Sequence, residues 1–162
     1  MVQRIVIVVL LVVALLAIGW YAWADHEGDR KDGHIVLTPD KLTWQPIPFL
    51  PPGAMAAVLS GDPSKPGGLY AIRAKMPDGF RVPPHWHPSD ENVTVLQGAL
   101  MIGTGEKFDT GKMEAVPPGG FMRMPKEMRH FAMAKGDTII QIHGIGPFEI
   151  TYVNPSDDPR KK

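Results

Sequence analysis

Glycine and proline divide the chain into short apolar runs, and this spacing limits the possible folds more than any other feature. The sequence contains 17 Gly and 17 Pro, and after residue 25 they recur between runs too short for most helices. In residues 69–76, Tyr70, Ile72 and Ala74 alternate with residues of the opposite face, which is the two-residue period of a half-buried strand. We therefore predict an all-β domain of about ten short strands, built as a sandwich or a barrel.

Composition narrows the classes of function. Lys plus Arg and Asp plus Glu both number 17, so the formal net charge is zero at pH 7. A nucleic-acid binder normally carries a basic excess or a basic stripe, and this sequence has neither. The absence of cysteine excludes disulfides, thiolate metal ligands and a cysteine nucleophile. We expect a small-molecule ligand or substrate rather than a nucleic acid.

The N-terminus carries the pattern of an export signal. Arg4 precedes the uncharged residues 5–24, and Ala22-Trp23-Ala24 matches a small-x-small cleavage site. An uncleaved membrane anchor is the alternative, because residues 5–24 are long enough to cross a bilayer, which needs about 20 apolar residues. In that case the membrane contact is limited to residues 5–24. Either interpretation places the folded domain outside the cytoplasm, periplasmic or secreted.

These features divide the chain into four parts. Residues 1–24 are the predicted signal peptide or membrane anchor, and residues 25–38 are a polar linker. Residues 39–154 form the predicted barrel domain, and residues 155–162 are a polar tail that we expect to fray. The part that follows the export segment is long enough to form one hydrophobic core.

The residues most suited to chemistry lie within residues 79–98. His85 and His87 are two apart, so on a strand their side chains point to the same face. Residues 88–90 suit a short turn, and Glu91 then opens the next strand. Two imidazoles and one carboxylate thus converge from adjacent strands. Imidazole suits Zn, Cu, Fe and Ni, and a carboxylate beside histidine with open positions suits Fe(II) or Mn(II).

This stretch resembles the first motif of the cupin superfamily, in which Gly, His-x-His, Glu and Gly follow one another at fixed spacing. The matching residues are Gly79, His85, His87, Glu91 and Gly98. A partial second motif matches at Gly119, Pro125 and His130. It departs at Glu127 and Ala134, where Gly and Asn are usual, and those positions shape a turn and a strand rather than supply ligands. The resemblance covers residues 40–153 approximately.

Similarity to the cupins implies a conical β-barrel of the jelly-roll type, also called a double-stranded β-helix. It implies one divalent transition metal, held by His85, His87, Glu91 and His130. Cupins carry Fe, Mn, Ni, Cu or Zn, and the sequence does not select among these metals. Some cupins are dioxygenases or isomerases, others bind ligands or sense metals, and small cupins often pair as homodimers.

Other polar residues are candidates for the pocket beside the metal. They are Tyr70, Arg81, Gln141 and His143. Gln141 and His143 share one face of a predicted strand, opposite Ile140 and Ile142, and the sequence leaves open which face points inward. Glu91 could detach from the metal and act as a base, which makes it the candidate for a catalytic role.

Three functions remain open at this point. The first is a metal-dependent oxygenase or isomerase that acts on a small molecule. The second is a non-catalytic barrel that binds or senses a metal or a small molecule. The third is a structural barrel with an inert site. An enzyme needs a pocket beside the metal with a few convergent polar groups, whereas a structural site has saturated coordination.

Overall fold

The computed structural model describes residues 33–161. The predicted export segment, most of the predicted linker and Lys162 lie outside the described residues. The run from His34 to Leu37 is β-prone in sequence, but residues 33–38 adopt no regular secondary structure. In the part of the chain that is described, no helix has the length and apolar character required to cross a membrane.

Residues 37–161 form a barrel of short and long strands. The strands are β1 (Gln45–Pro46), β2 (Met55–Gly61), β3 (Leu69–Met76), β4 (Arg81–Trp86), β5 (Glu91–Thr104), β6 (Glu114–Val116), β7 (Phe121–Met124), β8 (His130–Ile145) and β9 (Thr151–Tyr152). The connections include four 3₁₀ helices, at Pro39–Lys41, Thr110–Lys112, Pro155–Asp157 and Pro159–Lys161. The predicted all-β class is therefore confirmed.

The pairing of β5 with β8 organises the sheet. The two strands run antiparallel, from the pair Asn92 and His143 to the pair Thr104 and His130. Strand β8 pairs on its other side with β4 through its first half and with β3 through its second half. Strand β5 pairs on its other side with β7 near its start and with β6 near its end. The sheet consequently curls into the predicted jelly-roll barrel.

A bend in the middle of β5 and β8 allows this curl. The register shifts on both sides of Gln97, and Gly98 has φ of +67°. A Cβ at Gly98 would lie 2.6 Å from Thr138 Oγ1 and 2.7 Å from Asp137 O, so a larger residue does not fit there. The sequence of residues 135–137, with glycine at its centre, predicts a turn between two strands. They instead form the bent centre of one continuous strand, because β5 pairs with both halves.

The barrel interior is packed with apolar side chains. The predicted alternation in β3 is confirmed, since its inward residues Tyr70, Ile72, Ala74 and Met76 are all buried. Val93 and Val95 of β5 are at most 1% exposed. Burial of each large aliphatic side chain contributes about 1.5–3 kcal/mol to folding. The barrel core is therefore the main source of the stability that holds the site.

Two β-prone segments of the sequence, residues 42–50 and residues 148–153, are largely irregular in the structure. Residues 42–50 contribute only the two residues of β1, since Pro46 and Pro48 cannot donate to a ladder. Residues 148–153 contribute only the two residues of β9. Nine strands are therefore formed in the described residues rather than about ten.

Contrary to the prediction, the polar tail does not fray. It forms two 3₁₀ helices, and Asp158 within it is only 6% exposed. Arg160 donates from Nε to Asp158 Oδ1 at 2.8 Å and from Nη2 to Ile150 O at 3.1 Å. The guanidinium thus satisfies the Asp158 carboxylate and ties the tail to the segment that precedes β9.

A turn at residues 125–128 keeps the conformation that the second cupin motif normally gives to Gly. Met128 N donates to Pro125 O at 3.1 Å, and Glu127 within this turn has φ of +62°. No other non-glycine residue in residues 33–161 has a positive φ. Glu127 N also donates to His87 O at 2.8 Å, which fastens the turn to the end of β4. The turn geometry is therefore kept without the glycine.

We predict that Glu127→Gly raises the free energy of unfolding by about 0.5–1 kcal/mol. The left-handed conformation costs a non-glycine residue about 1–2 kcal/mol, and the added freedom of glycine in the unfolded chain offsets part of that gain. Glu127→Val is the matched control and should be destabilising, because a β-branched residue tolerates this conformation poorly. Urea unfolding of the three proteins measures the difference, and a glycine variant no more stable than the valine variant would contradict the assignment of strain.

Candidate metal centre

Three histidines from two adjacent strands meet inside the barrel. His85 lies in β4, His87 directly follows β4, and His130 opens β8 opposite His85 in the register. Their ring centroids are 4.2 Å apart for His85 and His130, 5.0 Å for His85 and His87, and 5.2 Å for His87 and His130. One nitrogen from each lies within 4.8 Å of the others, and all three residues are buried. The three histidines are therefore positioned to hold a metal ion.

Main-chain carbonyls set the orientation of all three rings. The contacts are His85 Nδ1 to Pro83 O at 2.7 Å, His87 Nδ1 to Glu149 O at 2.6 Å and His130 Nδ1 to Met128 O at 2.9 Å. A carbonyl oxygen can only accept, so each Nδ1 carries the proton and donates it. In the neutral ring the opposite nitrogen, Nε2, then presents a lone pair. This arrangement fixes the tautomer that metal-bound imidazoles normally have.

Glu91, the first residue of β5, faces the same point. Its Oε2 atom lies 3.5 Å from His87 Nε2 and 3.6 Å from His130 Nε2. Among the buried side-chain nitrogen and oxygen atoms of residues 33–161, only His87 Nε2 lacks a hydrogen-bond partner. An unpaired buried acceptor costs about 1–3 kcal/mol, so such atoms are rare without a reason. A carboxylate and imidazole lone pairs that converge without a donor are suited to a cation.

Burial and mutual repulsion shift the pKa values of this cluster. Burial lowers the pKa of His85 well below its ordinary value, and repulsion from His130 and His87 lowers it further. Burial also lowers the pKa of His87, although the Glu91 charge opposes that shift. Burial alone would raise the pKa of the Glu91 carboxyl, but the adjacent imidazoles of His87 and His130 outweigh it and hold that pKa at about 2. Lowered pKa values at His85 and His87 and a lowered pKa at Glu91 favour the protonation states that metal ligands require.

The interior of the barrel leaves a small cavity beside the cluster. Its volume is about 80 Å³, which is room for a few water molecules and well below the size of most ligand pockets. The walls are aliphatic and aromatic side chains together with Met76 and Met122. The titratable residues of the lining are His85, His87, His130 and Glu91. Any molecule that reaches the four residues from this cavity therefore meets an apolar surface.

Three of the four candidate pocket residues point away from this cavity, which corrects the expectation for them. On β8, Ile140 and Ile142 face the interior, so Gln141 and His143 lie on the outer face, and His143 is exposed. The apolar interior accepts the isoleucines, and the alternation of the strand then places the polar pair outside. Arg81 is exposed on β4, with its guanidinium 5.2 Å from the ring centroid of Phe108.

Tyr70 is buried in the interior, but it does not line the cavity. Its ring packs against Phe148, with ring centroids 5.5 Å apart. Burial raises the pKa of the Tyr70 hydroxyl, and the Glu91 charge raises it further. Tyr70 thus supports the ring of Phe148 rather than contacting the four clustered residues in this structure.

Phe148 is the residue beside the cluster that sequence analysis missed. Its ring stacks on His87, with centroids 5.2 Å apart and an angle of 16° between the planes. Phe148 lies in an irregular segment between β8 and β9, where no periodicity could assign it to the interior. The Glu149 carbonyl that orients His87 belongs to the same segment. This segment therefore supplies both a wall and an orienting group to the cluster.

We predict that the metal-free protein loses stability as the pH falls below about 6.5, the ordinary pKa of histidine. The folded-state pKa of His85 is lowered, so its contribution is present above pH 6.5 and is lost as the pH falls toward the folded value. The unfolded chain then takes up protons that the folded cluster excludes. Each such histidine changes the free energy of unfolding by up to about 1.4 kcal/mol per pH unit.

Urea unfolding in EDTA, repeated at pH values from about 7.5 to about 5, measures how the free energy of unfolding changes with pH. His85→Leu should give a shallower slope than the unmodified protein. His143→Leu is the matched control, because it removes an exposed imidazole outside the cluster. Equal slopes for the two variants would show that His85 does not exclude a proton in the folded state.

Known structures share this architecture. The polyketide cyclase RemF from Streptomyces resistomycificus matches with a TM-score of 0.64 and 16% identity, over 80% of this chain and 92% of that chain. A putative acetylacetone dioxygenase from Methylibium petroleiphilum PM1 matches with a TM-score of 0.58 and 17% identity, over 78% and 85%. The anti-sigma factor ChrR, solved in complex with SigE from Rhodobacter sphaeroides, matches with a TM-score of 0.50 and 24% identity, over 65% and 50%. Likenesses at these identities show the fold alone.

A search of curated proteins finds no match to this sequence. The sequence pattern of the ChrR cupin-like domain, by contrast, matches residues 32–149. This match covers most of the chain and all of the clustered ligand candidates. The chain belongs to the ChrR cupin-like family of the cupin superfamily.

Proposed function

We propose that this protein binds one divalent transition metal through His85, His87, His130 and Glu91 and uses it in an oxygenase or isomerase reaction on a small molecule. One observation carries the proposal. Main-chain carbonyls orient the three imidazoles, which offer ligand atoms within 4.8 Å of one another. Two of them face the Glu91 carboxylate, and His87 Nε2 has no hydrogen-bond partner. Such a set of acceptors fits a cation and fits little else.

The donor set limits which metals are suitable. Three imidazole nitrogens and one carboxylate oxygen suit Fe(II) and Mn(II), and also Ni, Cu or Zn. Cysteine is absent from the sequence, so soft thiolate coordination is excluded. A divalent ion would offset the negative charge of Glu91 in a site where the dielectric constant is low.

When bound, the metal would supply Lewis-acid or redox chemistry at the inner end of the cavity. The residues of the chain have separate roles in that chemistry. The main-chain carbonyls of Pro83, Glu149 and Met128 hold the imidazoles in place. The apolar walls exclude water and strengthen charge interactions. Glu91 Oε2 is the atom that can accept a proton from a substrate if the carboxylate leaves its ligand position.

A non-catalytic binding or sensing role is the second candidate, and the narrowness of the cavity favours it. In the described part of the chain, the cavity offers no titratable group besides the four proposed ligands. One structural neighbour is the anti-sigma factor ChrR, solved in complex with SigE, and the match spans half of that chain. A protein partner is therefore compatible with this second candidate. A homodimer, expected from small cupins, stays a prediction.

The export pattern of residues 1–24 supports a location of this function outside the cytoplasm. In that compartment the metal is not supplied from the cytosolic pool, so the natural occupant depends on the periplasmic or external supply. The barrel domain follows the export segment through a polar linker, residues 25–38. We therefore propose a periplasmic or secreted protein, or one that is anchored with its domain outside.

Metal analysis of the purified protein tests the proposed ligands. We expect one transition metal per chain, and we expect His87→Ala to weaken metal binding by more than about tenfold. His143→Ala should leave binding unchanged, because that imidazole lies on the outer face. Absence of stoichiometric metal, or an equal loss in both variants, would refute the proposal.

Oxygen uptake distinguishes the two candidate functions. Metal-loaded protein is mixed with small phenolic or thiol compounds, and O₂ consumption is recorded with Glu91→Gln as the comparison. Uptake that depends on both the compound and Glu91 supports the enzyme. Full metal loading without uptake or isomerisation of any compound supports the binder.

Fusion of residues 1–40 to alkaline phosphatase tests the export proposal. We expect phosphatase activity, because that reporter is active only after export from the cytoplasm. A matched fusion that lacks residues 5–24 should be inactive. Equal activity of the two fusions would contradict the assignment of residues 1–24, and the size of the fusion product shows whether the segment is cleaved.

A further inference from the structure

A groove on the barrel surface lies directly outside the metal-centre cavity. Its volume is about 460 Å³, and its lining comes from residues 43–49, β2, β3, residues 63–64 and Phe148. Five residues line both the groove and the cavity, namely Ile47, Phe49, Ala56, Ile72 and Phe148. The floor of the groove is therefore the wall of the cavity. The groove has the size of a small-molecule site, which the cavity alone lacks.

The lining of the groove selects a class of ligand. It consists of Thr43, Gln45, Pro46, Ile47, Pro48, Phe49, Ala56, Val58, Pro63, Ser64, Ile72 and Phe148. None of these side chains is charged, and its polar members are neutral hydroxyl and amide groups. A charged ligand would lose its hydration here without gaining an ion-pair partner. A neutral, apolar molecule would bury its surface against proline, phenylalanine and aliphatic side chains at no such cost.

Phe148 separates this groove from the histidines. One face of its ring stacks on His87, and the ring of Phe49 meets it edge-on, with centroids 5.9 Å apart. Because Phe148 lines the groove as well, a rotation of this ring would join the groove to the cavity. The backbone of Phe49 is held by Tyr152 Oη, which donates to Phe49 O at 2.7 Å. The opposing side of the passage is therefore fixed to β9.

We propose that this groove binds a neutral, apolar small molecule and that Phe148 controls passage between the groove and the metal centre. The ligand class follows from the groove itself. The role of Phe148 at the metal rests on the proposed metal function. The two parts are therefore tested separately.

Naphthalene and 2-naphthoate, which differ by one carboxylate, are suitable probes for the groove. We expect the purified protein to bind naphthalene, with or without EDTA, and to bind 2-naphthoate at least about tenfold more weakly. Val58→Asp places a charge in the groove at an exposed position and should weaken naphthalene binding by at least about tenfold. Leu96→Asp is the matched control, an exposed apolar residue outside the groove, and should change binding less than about twofold.

These titrations decide the first part. Equal binding of the two probes, equal effects of the two substitutions, or no binding of naphthalene would each overturn the assignment of the groove. The measurement in EDTA does not involve the metal. Loss of the proposed metal function would therefore leave this test intact, and failure of the groove would leave the metal analysis unaffected.

Metal exchange kinetics decide the role of Phe148. A residue that controls passage changes the rates of zinc uptake and of zinc release by the same factor, so the dissociation constant is unchanged. We expect Phe148→Ala to raise both rates by about tenfold and Phe148→Trp to lower both. Phe121→Ala, which truncates an exposed phenylalanine of β7, should change neither. Two outcomes would overturn this role of Phe148. One is a higher dissociation constant for zinc with an unchanged rate of zinc uptake, and the other is unchanged rates in both Phe148 variants.

Discussion

The long antiparallel pairing of β5 with β8 is the interaction on which the rest of the structure depends. From residue 92 to residue 104, an extended strand would span about 40 Å. Yet Glu91 at one end of this ladder lies 3.6 Å from His130 at the other. The ends meet because the ladder bends at Gly98 and curls around a core of valine and isoleucine side chains. The four clustered residues therefore come together only because the barrel closes. No single strand or turn of the structure contains all four.

Closure brings the four side chains together, and main-chain carbonyls then orient them. Pro83 and Met128 each lie two residues before the histidine they orient, whereas Glu149 is distant in sequence from His87. The turn at Glu127 is fastened to the His87 carbonyl, so the one non-glycine residue with a positive φ in residues 33–161 lies next to the cluster. Strain of this kind persists where the surrounding structure determines it, and functional sites are a common place for it. Burial supplies the remaining condition, since it lowers the pKa values of His85 and His87 and so favours their neutral forms.

The sequence could predict what depends on local spacing. The alternation in β3 placed Tyr70 and Ile72 inside, and the motif spacing brought His85, His87, Glu91 and His130 to one point. It could not predict which face of β8 points inward, because Gln141 and Ile142 alternate equally well in either orientation and only pairing with β3 and β5 decides. It divided β8 at Gly136 because glycine punctuates loops and bent strands alike. Phe148 and the docked tail were missed because they depend on contacts distant in sequence.

The three carbonyls that orient the histidines have a consequence for how this site tolerates change. A carbonyl oxygen is present whatever the side chain, so no replacement of Pro83, Met128 or Glu149 by another amino acid can delete the group that holds a ring. Orientation of the ligands is thus insensitive to point substitution at the very positions that provide it. Ligand orientation is sensitive instead to any change that shifts the backbone carbonyls, such as an insertion or deletion in the segment between β8 and β9. We therefore expect relatives of this chain to vary in sequence around the site more than in the lengths of its connecting segments.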